Sequence, residues 1–253
     1  MSMIPTYDLD KIKFATDRQT FEKAVDLYES GKVMRFKEEL NGFFATVLGS
    51  KPYNVYVDNR HYDRGDCDCY LGQNDTLCKH MVAVAIRAVT QGKPLADEDK
   101  KFISQPVCSG RLGELNREEL AATKKAITAG MRYIKSYEGP SRIWFAYQNS
   151  LSEGCNRLSK IISDLPVGEQ TAKLLVDTLL RLDDKLCRGG LDDSDGTVGG
   201  FIEETVQILR EYGKLDSHCI KAFRTLENRE TCFGWEEALI KSAGKNSDRI
   251  AKE

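Results

Sequence analysis

Cys67-Asp68-Cys69-Tyr70-Leu71-Gly72-Gln73-Asn74-Asp75-Thr76-Leu77-Cys78-Lys79-His80 brings three thiols and one imidazole into fourteen residues. Along extended chain, residues i and i+2 point to one side, so Cys67 and Cys69 can face a single ion. The spacer of eight residues holds Gly72 and Asn74-Asp75, which suit a turn that brings the chain back. Cys78 and His80 then open the apolar run Met81-Val82-Ala83-Val84-Ala85-Ile86. On a regular helix i and i+2 diverge, so the spacing predicts Cys78 at a helix entry and His80 in its first turn. There the helix dipole favours a thiolate. Zinc takes four donors in a tetrahedron and prefers thiolate and imidazole. The motif therefore predicts one structural zinc per chain, held by Cys67, Cys69, Cys78 and His80. Three thiolates around a dication leave one negative charge, which Lys79 and Arg64 are placed to soften.

A catalytic zinc keeps one position open for water, whereas three cysteines and one histidine close the tetrahedron. H-E-x-x-H, the deaminase H-x-E with P-C-x-x-C, a P-loop, a dinucleotide glycine fingerprint and a nucleophile elbow are all missing from the chain. The expectation is a protein that is not an enzyme.

Upstream of the motif, Asp17 can cap a helix through Phe21, Val25 and Tyr28, closed by Gly31. Val33–Lys37 alternates, Asn41-Gly42 is a hairpin signal, Phe43–Leu48 follows, and Tyr53–Val57 alternates again. A three-stranded antiparallel meander is the simplest reading. The helix after His80 is stopped by Gly92 and Pro94. From about Asp97 helical periodicity takes over, with Asn116 as an N-cap for a helix carrying Leu120, Ile127, Met131, Ile134 and Tyr137. Further stripes run through Trp144 to Leu165, Leu175 to Leu186 and Ile202 to Tyr212, with shorter ones around Phe223 and Leu239. The fold class expected is α+β: a small antiparallel-sheet zinc module over residues 1–95, then an all-α domain over 96–253, a bundle or stacked helical hairpins.

The C-x-C, spacer, C-x-H pattern opening an apolar helix, together with the strands Phe43–Val57, resembles the SWIM-type zinc finger. The resemblance covers roughly residues 18 to 91, with all four ligand positions matched. It implies a module that contacts DNA, protein or both, since the family occurs beside chromatin-remodelling-type ATPases and in transposases and recombination factors.

Net charge is −2, and 13 Lys and Arg balance 13 Asp and Glu up to Leu95, so no global basic excess advertises nucleic acid. The N-terminus is charged where a signal peptide needs an apolar core, and no run is long enough to span a membrane. A cytoplasmic chain, or a nuclear one in a eukaryote, is expected, with no membrane partner and with cysteines as thiols or metal ligands before disulfides. The leading function is a structural-zinc recognition module in a DNA-associated complex, with a protein partner and DNA as a second contact. Its rival is a protein-only adaptor docking through the helical domain. Arg60, Arg64 and Lys79, and beyond them Lys51, are the candidate contacts to nucleic acid or partner.

Weaker signals each have a bland reading. Cys155 and Cys219 read as buried thiols, and Trp144 and Trp235 as core anchors. Cys187, His218, Cys219 and Cys232 could form a second metal site, although their spacing fits no known pattern. The acidic loop 188–200 reads first as helix capping and second as a contact for a basic partner. Arg117, Lys124, Lys125, Arg132, Lys135 and Arg142 make a mild basic face that reads as solvated surface. His61 reads as a spare loop histidine.

Overall fold

The structure, a computed structural model, describes residues 4–140 and 144–250. Arg142 of the basic face therefore lies outside the described residues. The chain divides into two compact units, Met1–Phe102 and Ile103–Glu253.

The first unit opens with a helix the sequence reading did not anticipate, α1 (Leu9–Ala15), whose N-cap Asp8 accepts from the Lys11 backbone N–H. Next comes α2 (Arg18–Glu29), capped by Asp17 as expected: its side chain accepts from Thr20 N at 2.9 Å. Strands β1 (Val33–Glu39), β2 (Gly42–Leu48), β3 (Pro52–Asp58) and β4 (Gly65–Cys67) form an antiparallel sheet in chain order. The fourth strand corrects the three-stranded expectation. Only three residues long, it shows no alternation that a sequence could reveal, and it pairs Cys67 with Val55.

The hairpin turn also shifts by one residue: Glu39 pairs with Gly42, leaving Leu40-Asn41 as the turn. Gly42 is a strand residue because a Cβ there would lie 2.2 Å from the Val57 carbonyl oxygen. Alternation then sends Phe43, Ala45, Val47, Val55 and Val57 to the inner face. That face is covered by α3 (Lys79–Thr90), against which α2 packs, and all these elements share one core. Ile86 and the four residues Val82–Ala85 are fully buried, which explains why the helix is apolar nearly all round. Gln91 at φ 52 and Gly92 at φ 80 end it.

Residues 96–102, assigned to the helical domain in the sequence reading, fold with the first unit. Glu29 holds them: its carboxylate accepts from Leu95 N and pairs with Lys100 of α4 (Asp97–Lys100) at 2.8 Å. Lys13 Nζ donates to the Glu98 carbonyl at 2.8 Å, and Phe102 packs on Phe21 with ring centroids 6.0 Å apart.

In the second unit, α5 (Arg117–Gly130) begins at Asn116 in a capping box with Glu119. It stops seven residues before Tyr137, short of the helix the stripe suggested. Gly130 presses on Leu158, and the chain beyond tightens into i→i−3 bonds, Arg132 N to Ala129 O and Tyr133 N to Gly130 O. Met131 and Ile134 stay buried all the same. Helices α6 (Trp144–Ser163), α7 (Glu169–Cys187) and α8 (Thr197–Leu215) supply most of a single core. The short α9 (Ile220–Phe223) and then α10 (Glu236–Ile250) complete it. No described helix is long and apolar enough to cross a membrane.

Candidate metal centre

Each of the four motif residues is delivered by a different local device. Cys67 ends β4, held by its ladder to β3. Cys69 heads the turn that carries the chain back, in which Gln73 N bonds Cys69 O and Asn74 N bonds Leu71 O. Cys78 is the N-cap of α3, at φ −122 and ψ 161, and His80 lies in the first turn, as the spacing predicts. All four side chains are buried.

The ligand atoms lie within 4.8 Å of one another. His80 Nδ1 stands 3.7 Å from Cys67 Sγ and 3.8 Å from Cys78 Sγ. A tetrahedron with Zn–S of about 2.3 Å and Zn–N of about 2.05 Å has edges of roughly 3.5–3.8 Å. The imidazole and the sulfurs of Cys67 and Cys78 therefore already stand at the spacing of a zinc shell, with Nδ1 facing both sulfurs and Cys69 close by. Three buried sulfurs and one imidazole are the donor types zinc prefers, and the cluster fits one structural zinc.

Electrostatics point the same way. Hydrogen bonding to Cys67 is the main influence drawing the Cys78 thiol down to about 4, against burial, with help from His80 and the Met81 backbone N–H. The same contact and burial push the Cys67 thiol well above the usual range. One sulfur is thus ready as thiolate at the helix entry, and a dication would displace the remaining protons.

The surroundings give closer roles to three residues, of which the sequence reading placed Gly72 only in the returning turn and Tyr53 only in a strand. Gly72 N donates to Cys69 Sγ at 3.4 Å, and a Cβ at Gly72 would lie 2.2 Å from the Cys67 carbonyl oxygen. Tyr53 stacks on the His80 ring at 4.4 Å, while its hydroxyl bonds Ser50 at 2.8 Å. Gly49 closes the far side of the imidazole, since a Cβ there would stand 3.1 Å from Nε2. Such partners orient a ligand ring. Only glycines within a few residues of the motif, or an aromatic in the flanking strand, hinted at them.

With this geometry in hand, a family model described as the SWIM zinc finger matches residues 53–88. Those residues match the SWIM zinc finger. The match begins at Tyr53, the ring that stacks on His80, and ends inside α3, so it spans the whole ligand set. No curated protein and no solved structure matches the chain.

The candidate contact residues fall at different places around the SWIM finger. Lys79 is half-buried between two ligands. Arg60 and Arg64 are exposed in the turn ahead of β4, at its other end from Cys67; there Asp58 accepts from the Arg60 N–H at 2.7 Å. Lys51 instead reaches the ligand set through aromatic contact, its Nζ 5.5 Å from the Tyr53 ring centroid. His61 is exposed.

Elsewhere the structure sorts the remaining signals. Cys155 and Cys219 are buried thiols. The second metal site is not assembled as imagined: Cys219 is sealed in the core and the exposed His218 pairs with Asp216 at 2.8 Å. Cys187 and Cys232 meet without them, joined as a disulfide with Asp183 alongside, which corrects the expectation of thiols or metal ligands alone. The sequence could not show this, because the two are 45 residues apart. The acidic loop is a capping device. Asp193 accepts from the N–H groups of Val198 and Gly199 at 2.8 Å each, at the start of α8, and Asp192 accepts from Trp144 Nε1 at 3.0 Å.

Proposed function

We propose that this chain is a non-catalytic recognition protein of a DNA-associated complex, its zinc module presenting a contact surface to protein, DNA or both. The ligand set carries this reading. Four buried donors fill zinc's tetrahedron and leave no place for water or substrate, while the loop they anchor holds Tyr70 80% exposed and Leu71 44% exposed. A metal-clipped loop that displays an aromatic and an aliphatic side chain, instead of burying them, suits a macromolecular partner. The association of SWIM fingers with DNA and protein partners supports the same class.

A protein-only adaptor is the second reading, favoured by the charge beside the candidate cations. Asp58, Asp63, Asp66 and Asp68 share the 58–68 segment with Arg60 and Arg64, which weakens any attraction to phosphate. If DNA is bound, contacts come from Arg60, Arg64, Lys79 and Lys51. So few phosphates give a log–log salt slope of roughly −3 to −4, at about −0.9 per contact. Anisotropy titrations of the intact protein at several salt concentrations decide between the readings. Binding that weakens along that slope, with a slope flattened by about two units in Lys79→Ala/Arg64→Ala, supports DNA contact. No binding near about 50 mM salt removes DNA and leaves the adaptor. Partner capture lost in Tyr70→Ala/Leu71→Ala and resistant to nuclease supports the exposed loop as a protein contact.

A further inference from the structure

The Cys187–Cys232 pair stands apart from the metal centre, and the structure serves both of its oxidation states. The Cα atoms are 6.1 Å apart, inside the range a disulfide spans. That approach does not depend on the bond itself. Asp183 lies one helical turn before Cys187 on α7, and its Oδ1 accepts from Cys232 N and from Trp235 Nε1, each at 2.9 Å. One buried carboxylate thus fixes the backbone of Cys232 against the helix face that carries Cys187. Its other oxygen, Oδ2, lies 3.8 Å from Cys187 Sγ, within reach of a thiol proton. The reduced pair has an acceptor waiting and the oxidised pair has its bonding distance.

Access is asymmetric. Cys187 is exposed and Cys232 is half-buried. Beside Cys187 opens a cavity of about 470 Å³ lined by Arg181, Arg188 and Arg229 together with Asp183, Asp184 and Glu230. A small disulfide has room there, among charges of both signs. The zinc site needs three thiolates, which suits a setting where thiols are kept reduced, and a bond formed in such a setting is a reversible one.

We propose that Cys187 and Cys232 are a reversible redox pair, oxidised by exchange with a small disulfide such as oxidised glutathione. The exposed Cys187 thiolate attacks one glutathione sulfur, forming a mixed disulfide and expelling a glutathione thiolate. The Cys232 thiolate then attacks Cys187 Sγ, which breaks the mixed bond and releases the second glutathione. The two protein thiols lose two protons and two electrons, and one glutathione disulfide becomes two glutathione thiols. Oxidation ties the segment 227–235, which carries the 83% exposed Phe233, to the end of α7.

The test equilibrates the full-length zinc-loaded protein in glutathione buffers of graded poise, then alkylates it and maps peptides by mass. The expected result is a Cys187–Cys232 link that appears with oxidised glutathione and disappears with reduced glutathione, with zinc retained. Cys232→Ser, which lacks the resolving thiol, should accumulate one glutathionyl adduct on Cys187. Trypsin should cut after Arg229 about fivefold more slowly in the oxidised form, the segment then opening less often. No link under oxidised glutathione overturns the proposal, and so does a link that persists under reduced glutathione, which makes the bond permanent. A Cys232→Ser protein that is folded by circular dichroism yet carries no adduct on Cys187 overturns the assigned order of attack.

Discussion

Replacing Gly72 with alanine tests the metal centre where the structure is most exacting. The new Cβ would lie 2.2 Å from the carbonyl oxygen of Cys67 and 2.6 Å from its Cβ, whereas ordinary contact begins near 3.4 Å. Both atoms belong to a ligand residue held in a strand ladder, so the turn must retreat instead. Retreat by about 1 Å stretches the Gly72 N–H contact to Cys69 Sγ, already 3.4 Å long. Overpacking of this kind costs about 1–3 kcal/mol, and a hydrogen bond to a charged acceptor about 1.5–3 kcal/mol. Taking about 3 kcal/mol together, zinc should bind on the order of 100-fold more weakly. Competition with a chromophoric chelator at neutral pH measures it. Gly200→Ala is the control, because a Cβ there meets nothing within 4 Å. If Gly72→Ala keeps its zinc affinity within about threefold, the close wrapping of the turn over Cys67 is wrong.

Cys69→Ser should lose most of the zinc in metal analysis of purified protein, because a hydroxyl replaces one of four soft donors. Asp183→Ala strips the acceptor from Cys232 N and Trp235 Nε1 and should lower stability in urea by about 2–4 kcal/mol, two stranded donors being the cause. Glu169 is held down to about 2, first by its hydrogen bond from Lys173 and then by that from Lys221. A depressed carboxyl contributes stability above its unfolded pKa and loses it as pH falls through the folded one. Melting temperature should therefore decline between about pH 4.5 and 2, with a shallower decline in Glu169→Gln.

The metal ligands were legible because each rests on a local rule: i and i+2 in extended chain, a helix entry, a glycine-bearing turn. Asp17 and Asn116 were legible as caps for the same reason, since a cap answers to the next three residues. What escaped depends on distant partners. β4 exists because Val55 and Val57 pair with Cys67 and Gly65. Gly42 reads as a turn glycine in sequence and proves to be a strand glycine because Val57 crosses it. Residues 96–102 read as the start of a helical domain until Glu29, some seventy residues away, binds Lys100. Helix α5 ends early although its stripe continues, because a buried stripe records facing and not helicity.

How much of the finger does zinc hold together? Phe21, Val25, Phe43, Val47, Val57, Val82 and Ile86 share a core in which most side chains are not ligands. The segment from β4 through the returning turn is different. Gly65 and Asp66 are exposed, as are Tyr70 and Leu71, so little apolar surface holds this stretch beyond Cys67, Cys69 and Gly72. Chelation should then loosen 65–78 first and leave the α2–sheet–α3 core folded, a local opening and not collapse of the module. Hydrogen exchange with and without a chelator reads this residue by residue. Amides of 66–76 should lose protection by at least about tenfold, while those of Val25, Val47 and Ile86 change little. If the amides of α2 and β2 exchange as fast as those of the turn once zinc is gone, the apolar core is insufficient alone. The metal would then be part of the module's folding free energy, and not only the clip that sets its contact loop.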